Sequence, residues 1–579
     1  MPANDVSVRI GGEAGQGVES SGTGFAEALT RGGLHVFAEA DYRSRIRGGH
    51  NFFTVRAHSE PVYAVRDRIQ VLIALTGETV GLHIDALEPG GAVIVDPQIT
   101  FDEDVLRGKD VRLLRPPLLE IAEQEGNRIM SNTGALAYVA GLIGLPLENI
   151  LRVIEKNFSK KSTQVVEQNS RVAQRSHDRV REDVQDGFPW RLEPQGLPPR
   201  LTITGNQSFA MGSLMAGCKF VSAYPMTPAT SVLEYLSLHG REWGVVARQA
   251  EDEIAAANMV IGAAHAGVRA LVPTSGGGFD LMTEAFSLVG MTETPVVAYL
   301  GQRPGPATGL PTRTCQADLF LALRSSHGEF GRIVLAPHTP EEAFLCAGRA
   351  FNLAEKYQTL VVVLFDEYLA TSVRSADVEH FMLDRIHIER GKLLSAEDLE
   401  RMDSYKRFAI TEDGISPRAL PGTSPKAVYL TTGDEHTEEG HITEDAGISA
   451  AMLEKRLRKE EVARSDMRAP YRYGPESADV TLVGWGSTYG AIREAVDLHN
   501  AGGGSANMVH FVDLWPFPRE HAREALATAR RLVSVEGNGR GQFAYLLHAE
   551  TDIRVDQQIR KYDGRGFTPD YILGRLEVK

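Results

Sequence analysis

Cysteine is scarce: the 579 residues hold three, Cys218, Cys315 and Cys346, and no Cys-x-x-Cys pair. A four-thiolate iron–sulfur cluster therefore cannot be assembled from this chain alone, and a disulfide framework is excluded with it. Long apolar runs are missing too. No stretch approaches the roughly 18 residues that span a bilayer. The opening Met1-Pro-Ala-Asn-Asp-Val6 lacks the basic and apolar regions of a secretory signal. No membrane partner is expected, and a cytoplasmic location is. Positive charge is in deficit, 61 Lys and Arg against 76 Asp and Glu for a net −15, which argues against a nucleic-acid partner. A hydrophobic content of 42% with 24% charged residues is that of an ordinary globular protein, and the length allows several domains.

What is present reads as strands alternating with helices. Residues 6–157 begin with a strand at 6–10, the turn Gly11-Gly-Glu-Ala-Gly-Gln-Gly17 and a helix from Ser20 to Arg31, with further strands at 51–55, 71–74 and 92–95. Such alternation implies a mostly parallel sheet. From 158 the chain turns polar, as in Arg171-Val-Ala-Gln-Arg-Ser-His-Asp-Arg-Val-Arg181, and then proline-rich up to Arg200. These read as a solvated helix, whose basic residues form a wetted face, and a linker. A second α/β unit spans 201–385, where apolar runs at 271–275, 295–300 and 361–365 suit strands buried on both faces. Residues 386–475 are polar and irregular and read as a wrapping connector. A third α/β unit carries strands at 480–484, within 505–513 and at 531–536.

Several short stretches suit chemistry. Tyr224-Pro-Met-Thr-Pro-Ala-Thr230 and Arg303-Pro-Gly-Pro-Ala-Thr-Gly-Leu-Pro-Thr312 combine rigid turns with hydroxyls and one cation, a combination fit to grip a small carboxylate. Glu251-Asp-Glu253 opens a helix over 252–266. Acids in a first turn complement the helix dipole. This helix is apolar almost all round, though, and is expected to be buried, which makes a carboxylate at its mouth costly without a purpose. Thr274-Ser-Gly-Gly-Gly278 links a strand to a helix over 280–289 and offers a surface for close approach, with Ser275 and Gly276 at the usual ligand edge of a parallel sheet. Gly12 to Gly17 resembles a dinucleotide turn, but its spacing is not Gly-x-Gly-x-x-Gly, so a structural turn or an interface is the favoured reading. Arg43-Ser-Arg45-Ile-Arg47-Gly-Gly-His50 is either a charged loop or a substrate-side cluster.

In this order, the motifs resemble the large subunit of the 2-oxoacid:ferredoxin oxidoreductases, in the form where γ and α parts are fused. The likeness is greatest to the 2-oxoglutarate-using α subunit (2-oxoglutarate synthase). It rests on Gly11–Gly17, Arg45–His50, Tyr224–Thr230, Glu251–Ala256, Thr274–Gly278, Arg303–Thr312, Gly433–His441, Leu514-Trp-Pro-Phe-Pro518 and Glu536-Gly-Asn-Gly-Arg-Gly-Gln542. The resemblance implies an α/β multidomain chain. It comprises a γ domain over 1–187, a linker over 188–200, a pyrimidine-binding thiamine domain over 201–385, a connector over 386–475 and a transketolase C-terminal-like domain over 476–579.

The activity implied is oxidative decarboxylation of 2-oxoglutarate to succinyl-CoA and CO₂ with electrons passed to ferredoxin, or the reverse. Pyruvate and branched 2-oxoacids are the near alternatives. A non-catalytic scaffold or nucleotide-binding subunit is the alternative of another class. By the resemblance, Glu253 protonates N1′ of thiamine diphosphate, while Tyr224, Pro225, Ser275 and Gly276 line the cofactor. Thr227, Arg303 and Thr312 hold the substrate 1-carboxylate; beyond the resemblance, the cationic Arg45 or His50 is expected to meet the distal one. Met226 and Ala229 depart from the usual isoleucine and serine, and the second change removes a hydroxyl. No Gly-Asp-Gly is followed at suitable spacing by asparagine, so no metal site is assigned to this chain. Mg²⁺ and a [4Fe-4S] cluster are expected on a β subunit that shares the thiamine, in an (αβ)₂ assembly with coenzyme A as co-substrate.

Overall fold

The computed structural model describes residues 4–43, 49–193 and 198–576. They divide into two compact units. The first takes the chain up to Thr204 together with Thr371–Val378 and Thr568–Arg575; the second takes Gly205–Ala370 and Glu379–Phe567.

The first unit is built on an eight-stranded sheet in the order Val111–Leu114, Leu87–Val95, Ile69–Ala74, Val6–Glu13, His50–His58, His35–Asp41, Val373–Ala376, Leu201–Thr204. Pairing is parallel from Val111–Leu114 to Val6–Glu13 and antiparallel beyond, so the parallel sheet read from the sequence is half of what forms. The strand His35–Asp41 escaped that reading because its pattern is broken by Glu39 and Asp41. The basic stretch after 158 also needs correction. Thr163–Asp183 is a helix with one face buried through Asn169, Val172, Ala173, Ser176 and Val180. It packs on the helix Ser131–Ile143, where a Cβ at Gly134 would stand 2.8 Å from Ser176 Oγ. Its arginines serve the outer face, Arg171 and Arg175 both reaching Glu125 at 2.6 and 3.0 Å.

The second unit holds two sheets. The larger runs Asp513–Trp515, Arg332–Leu335, Leu360–Asp366, Val296–Gln302, Arg269–Ser275, Cys218–Ala223, Val246–Gln249, all parallel except the first pair. Its central strands are buried on both faces, as continuous apolar runs require. Val296, Ala298 and Leu300 feed one core, and Val297 and Tyr299 the other. The helix Pro340–Tyr357 covers one face, started by Thr339 with its side chain accepting from Glu342 N and by Pro340 in the first turn. The smaller sheet, Tyr471–Tyr473, Ala506–Phe511, Val480–Trp485, Leu532–Glu536, Gln557–Arg560, shares a core with the larger through Val483, Trp485, Val509 and Phe511.

The connector is less irregular than its composition implies, because Ala446–Arg464 is a helix of 19 residues. A buried charge cluster ties it down. Glu293, between the helix Thr283–Thr292 and the strand Val296–Gln302, takes Lys455 on one carboxylate oxygen and Lys459 on the other, the latter at 2.7 Å. Arg407 donates to the Glu293 carbonyl at 2.8 Å and to Gln358 Oε1 at 2.9 Å, and Gln358 donates to Ser416 O at 2.6 Å. Although burial opposes it, the attraction of Lys459, Lys455 and Arg407 holds the Glu293 carboxyl well below the usual carboxylate range. Removing that carboxylate strands two buried ammonium groups, so Glu293→Ala is expected to cost about 3–5 kcal/mol of stability, read from the denaturant midpoint. Since the folded carboxyl is the more acidic, its contribution is present above about pH 4.5 and is lost as the pH falls further. A stability-versus-pH curve for Glu293→Gln should lack that component.

Candidate functional site

Four neighbouring parallel strands of the larger sheet deliver their carboxyl ends to one edge, which is where ligands bind open α/β sheets. From Cys218–Ala223 emerges the 224–230 turn, and from Val246–Gln249 the helix carrying Glu253. Arg269–Ser275 leads into the glycine run, and Val296–Gln302 into the Arg303 loop.

The first turn is clamped from behind. Buried Asn206 donates to Pro228 O and Ser231 Oγ, both at 2.7 Å, and accepts from Tyr299 OH. Gly301 lets Pro228 lie against the next strand, since a Cβ there would stand 2.9 Å from Pro228 Cγ. Arg303 then reaches across, Nη1 donating to Thr227 O at 3.0 Å. Thr227 and Pro225 are half-buried, whereas Tyr224 is exposed.

Glu253 opens the helix Glu253–His265, capped by Asp252, whose side chain accepts from Ala255 N at 2.8 Å. The Glu253 residue is 5% exposed, and no described side chain hydrogen-bonds its carboxylate. It lies against Gly278, where a Cβ would meet Glu253 Cγ at 2.8 Å and Oε1 at 3.1 Å. The helix itself is not buried all round. Ala256, Ala257, Val260, Ile261 and Ala264 face the core, but Ile254 and Met259 stand 51% and 40% exposed on the outer side. The glycines are also placed differently from expectation, as the first turn of a helix, Gly276–Leu281, followed by a second over Thr283–Thr292. Their close approach is to Glu253 at Gly278 and to Asp318 at Gly276. Ser275 Oγ is buried and unpartnered.

The loop after Arg303 folds back through Leu310 N on Pro304 O at 2.9 Å, and Thr312 lies half-buried further along it. Gln316 then pins the loop to the smaller sheet, Nε2 donating to Trp485 O and Oε1 accepting from Gly537 N, both at 2.8 Å. Asn538 Nδ2 donates to Gln316 O at 3.0 Å, which gives the Glu536-Gly-Asn-Gly stretch its role. Past this pin stands Asp318. Sequence reasoning gave no role to Asn206, Gln302, Gln316 and Asp318, polar residues that no motif marks.

The first unit holds the remaining predicted residues. Arg45 lies outside the described residues. His50 is buried, its Nε2 2.7 Å from His83 Nε2, and Arg9 Nη1 stands 3.3 Å from His83 Nδ1. Burial, then Arg9 and His50, push His83 down to about 3; burial also lowers His50. Gly15 and Gly17 adopt φ of +92° and +74° and line a cleft of about 1350 Å³ with Asn132 and Asn169. Among the described residues no group of three His, Cys, Asp or Glu is placed to hold a metal ion.

Three family models match in sequence order: pyruvate ferredoxin/flavodoxin oxidoreductase over 7–178, the thiamine diphosphate-binding part of pyruvate flavodoxin/ferredoxin oxidoreductase over 211–455, and pyruvate:ferredoxin oxidoreductase core domain II over 478–572. A 2-oxoacid:ferredoxin oxidoreductase subunit alpha of a Sulfolobus species is 33% identical across 97% of this chain and 95% of its own. The 2-oxoglutarate oxidoreductase subunit KorA of Mycobacterium tuberculosis is 29% identical across 98% of this chain and 90% of its own. Among solved structures, the 2-oxoglutarate:ferredoxin oxidoreductase of Magnetococcus marinus, with 2-oxoglutarate, coenzyme A and succinyl-CoA bound, superposes with a TM-score of 0.93 at 33% identity over 99% of both chains. By the extent and evenness of these matches, the chain belongs to the 2-oxoacid:ferredoxin oxidoreductase family.

Proposed function

We propose that this chain is the α subunit of a 2-oxoglutarate:ferredoxin oxidoreductase, joining 2-oxoglutarate and coenzyme A to give succinyl-CoA and CO₂. A separate β subunit supplies the diphosphate–Mg²⁺ anchor and the [4Fe-4S] cluster, and ferredoxin takes the electrons from an (αβ)₂ assembly in the cytoplasm. The observation that carries the reading is Glu253, a residue 5% exposed whose carboxylate no described side chain engages, at the edge where Arg303 bonds Thr227. The relatives that bear 2-oxoglutarate in their names, and the solved relative with 2-oxoglutarate and coenzyme A bound, support the choice of substrate.

The residues present fit thiamine diphosphate. A carboxylate on a largely buried residue, with no side-chain partner of its own, suits a ligand hydrogen-bond donor, and the N1′ of an aminopyrimidine is such a group once protonated. Gly277, where a Cβ would meet nothing within 4 Å, leaves open space beside the edge, and the Ser275 hydroxyl, unpartnered among the described residues, adds a polar contact. When bound, the cofactor supplies the nucleophilic carbon and the electron sink that decarboxylation of a 2-oxoacid needs. Glu253 holds the proton at N1′. Arg303 pairs with the substrate 1-carboxylate, its guanidinium already oriented by Thr227 O. Thr227 and Thr312 add hydroxyl donors, and the 224–230 turn keeps the grip rigid.

In the αβ holoenzyme, assayed by ferredoxin reduction with 2-oxoglutarate and coenzyme A, Glu253→Gln should cut turnover by about 10²-fold or more. Wild-type turnover in that variant would leave a scaffold role as the better account. Arg303→Ala should lower kcat/KM by the equivalent of about 2–5 kcal/mol, as loss of one partner of a desolvated charge pair does. A screen of 2-oxoglutarate, pyruvate and branched 2-oxoacids checks the substrate, and equal kcat/KM values for all three would refute the preference for 2-oxoglutarate.

A further inference from the structure

Asp318 has no place in the roles assigned so far, and its surroundings are those of a working group. It begins the helix Leu319–Arg324, yet its side chain makes no capping hydrogen bond. Instead the carboxylate turns toward the end of the strand Arg269–Ser275, and a Cβ at Gly276 would stand 2.9 Å from Oδ2. That oxygen is buried and has no hydrogen-bond partner among the described residues. Two further orphaned polar atoms occupy the same pair of strand ends, Ser275 Oγ and Gln302 Nε2, while Gln302 Oε1 accepts from Asp318 N at 3.0 Å. The cation whose charge acts on Asp318 is Arg303, the neighbour in sequence of Gln302, and it already spends one N–H on Thr227 O.

With a substrate carboxylate on Arg303, two negative charges would share the field of one guanidinium. An incoming substrate carboxylate would meet an Arg303 charge already offset by Asp318, in a partly desolvated place where like charges repel strongly. We propose that Asp318 is a positioning residue that takes up a proton as the substrate 1-carboxylate binds Arg303 and gives it back when that carboxylate departs as CO₂. The inference rests on Arg303 as the carboxylate grip proposed above. Solvent supplies the proton and receives it again, so the charge around Arg303 stays balanced at every stage. Around Asp318, Asp280 of the helix Gly276–Leu281 favours the protonated form, Arg303 opposes it, and the Cys315 thiol on the same loop is uncharged. Burial first, then Asp280, push Asp318 up to about 6, so near neutral pH the proton is within easy reach.

The test uses the αβ holoenzyme and N-oxalylglycine, an isostere of 2-oxoglutarate with an N–H in place of one CH₂. Calorimetric binding at pH 7.5 in buffers of different ionisation enthalpy should show uptake of about one proton, fading below about pH 6 where Asp318 is already protonated. In Asp318→Asn that uptake disappears, and KM for 2-oxoglutarate at pH 8 falls below the wild-type value by about tenfold or more, since no proton has to be taken up. A merely structural role predicts weaker binding in the variant instead. Binding with the same proton count in the variant, or uptake in the wild type that does not change between pH 5.5 and 7.5, overturns the role of Asp318 and leaves the grip intact. Absence of binding by the wild-type holoenzyme overturns both.

Discussion

Ser275 pairs with Gly301, and Thr274 with Leu300, across the parallel strands Arg269–Ser275 and Val296–Gln302. Those last rungs decide where the glycine run stands relative to Arg303. A slip of one residue would send every alternate side chain to the wrong face. Val296, Ala298 and Leu300 would leave one core while Val297 and Tyr299 left the other. At about 1.5–3 kcal/mol for each large apolar side chain, no loop contact outweighs that penalty. Two apolar cores therefore fix a polar site in which neither takes part, and the site inherits their rigidity.

The loops that leave these strands are held by a different kind of force. Backbone groups in a loop need partners that no ladder provides. Here buried amides provide them, Asn206 for the 224–230 turn and Gln316 with Asn538 for the loop after Arg303. Farther from the edge, Glu293 does the same for the connector through two ammonium groups and a backbone carbonyl. Along the strand-end edge, Ser275, Gln302 and Asp318 are conspicuous: each keeps a buried polar atom that no described residue pairs. Buried polar groups without partners cost free energy, so three of them on neighbouring strand ends prepare that edge for a ligand that supplies the missing partners.

How much of this the sequence disclosed follows from the kind of signal each part emits. The central strands were readable because they are long apolar runs, as in Leu360–Asp366, where only the last residue is polar. The turns at 224–230 and 303–312 were readable because proline, glycine and hydroxyls crowd together there. The helix Ala446–Arg464 was hidden because three of its five buried residues are Lys455, Arg456 and Lys459, which composition assigns to solvent until Glu293 is seen to receive two of them. The strand Cys218–Ala223 carries an exposed Lys219 among its apolar residues and gave too short a run. Asn206 and Asp318 emit no local signal whatever. Their roles depend on residues that the fold brings to them, Pro228 for the one and Gly276 with Arg303 for the other.

The exposed side of the helix Glu253–His265 completes the physical picture. Ile254 is adjacent to Glu253 in sequence and Met259 lies further along the helix; both face outward, and Tyr224 is exposed on the neighbouring turn. Apolar side chains beside a buried, unpaired carboxylate are unfavourable twice over in an isolated chain. One event relieves both costs: a partner surface that covers the helix while closing the ligand beneath it. Under the proposed function that surface belongs to the β subunit, and the same closure excludes water from Glu253, Arg303 and Asp318. Desolvation then strengthens the pairing of Arg303 with a carboxylate and raises the demand for a proton on Asp318. On this account subunit association, substrate charge and proton uptake are linked, because all three act through the dielectric of a single strand-end edge.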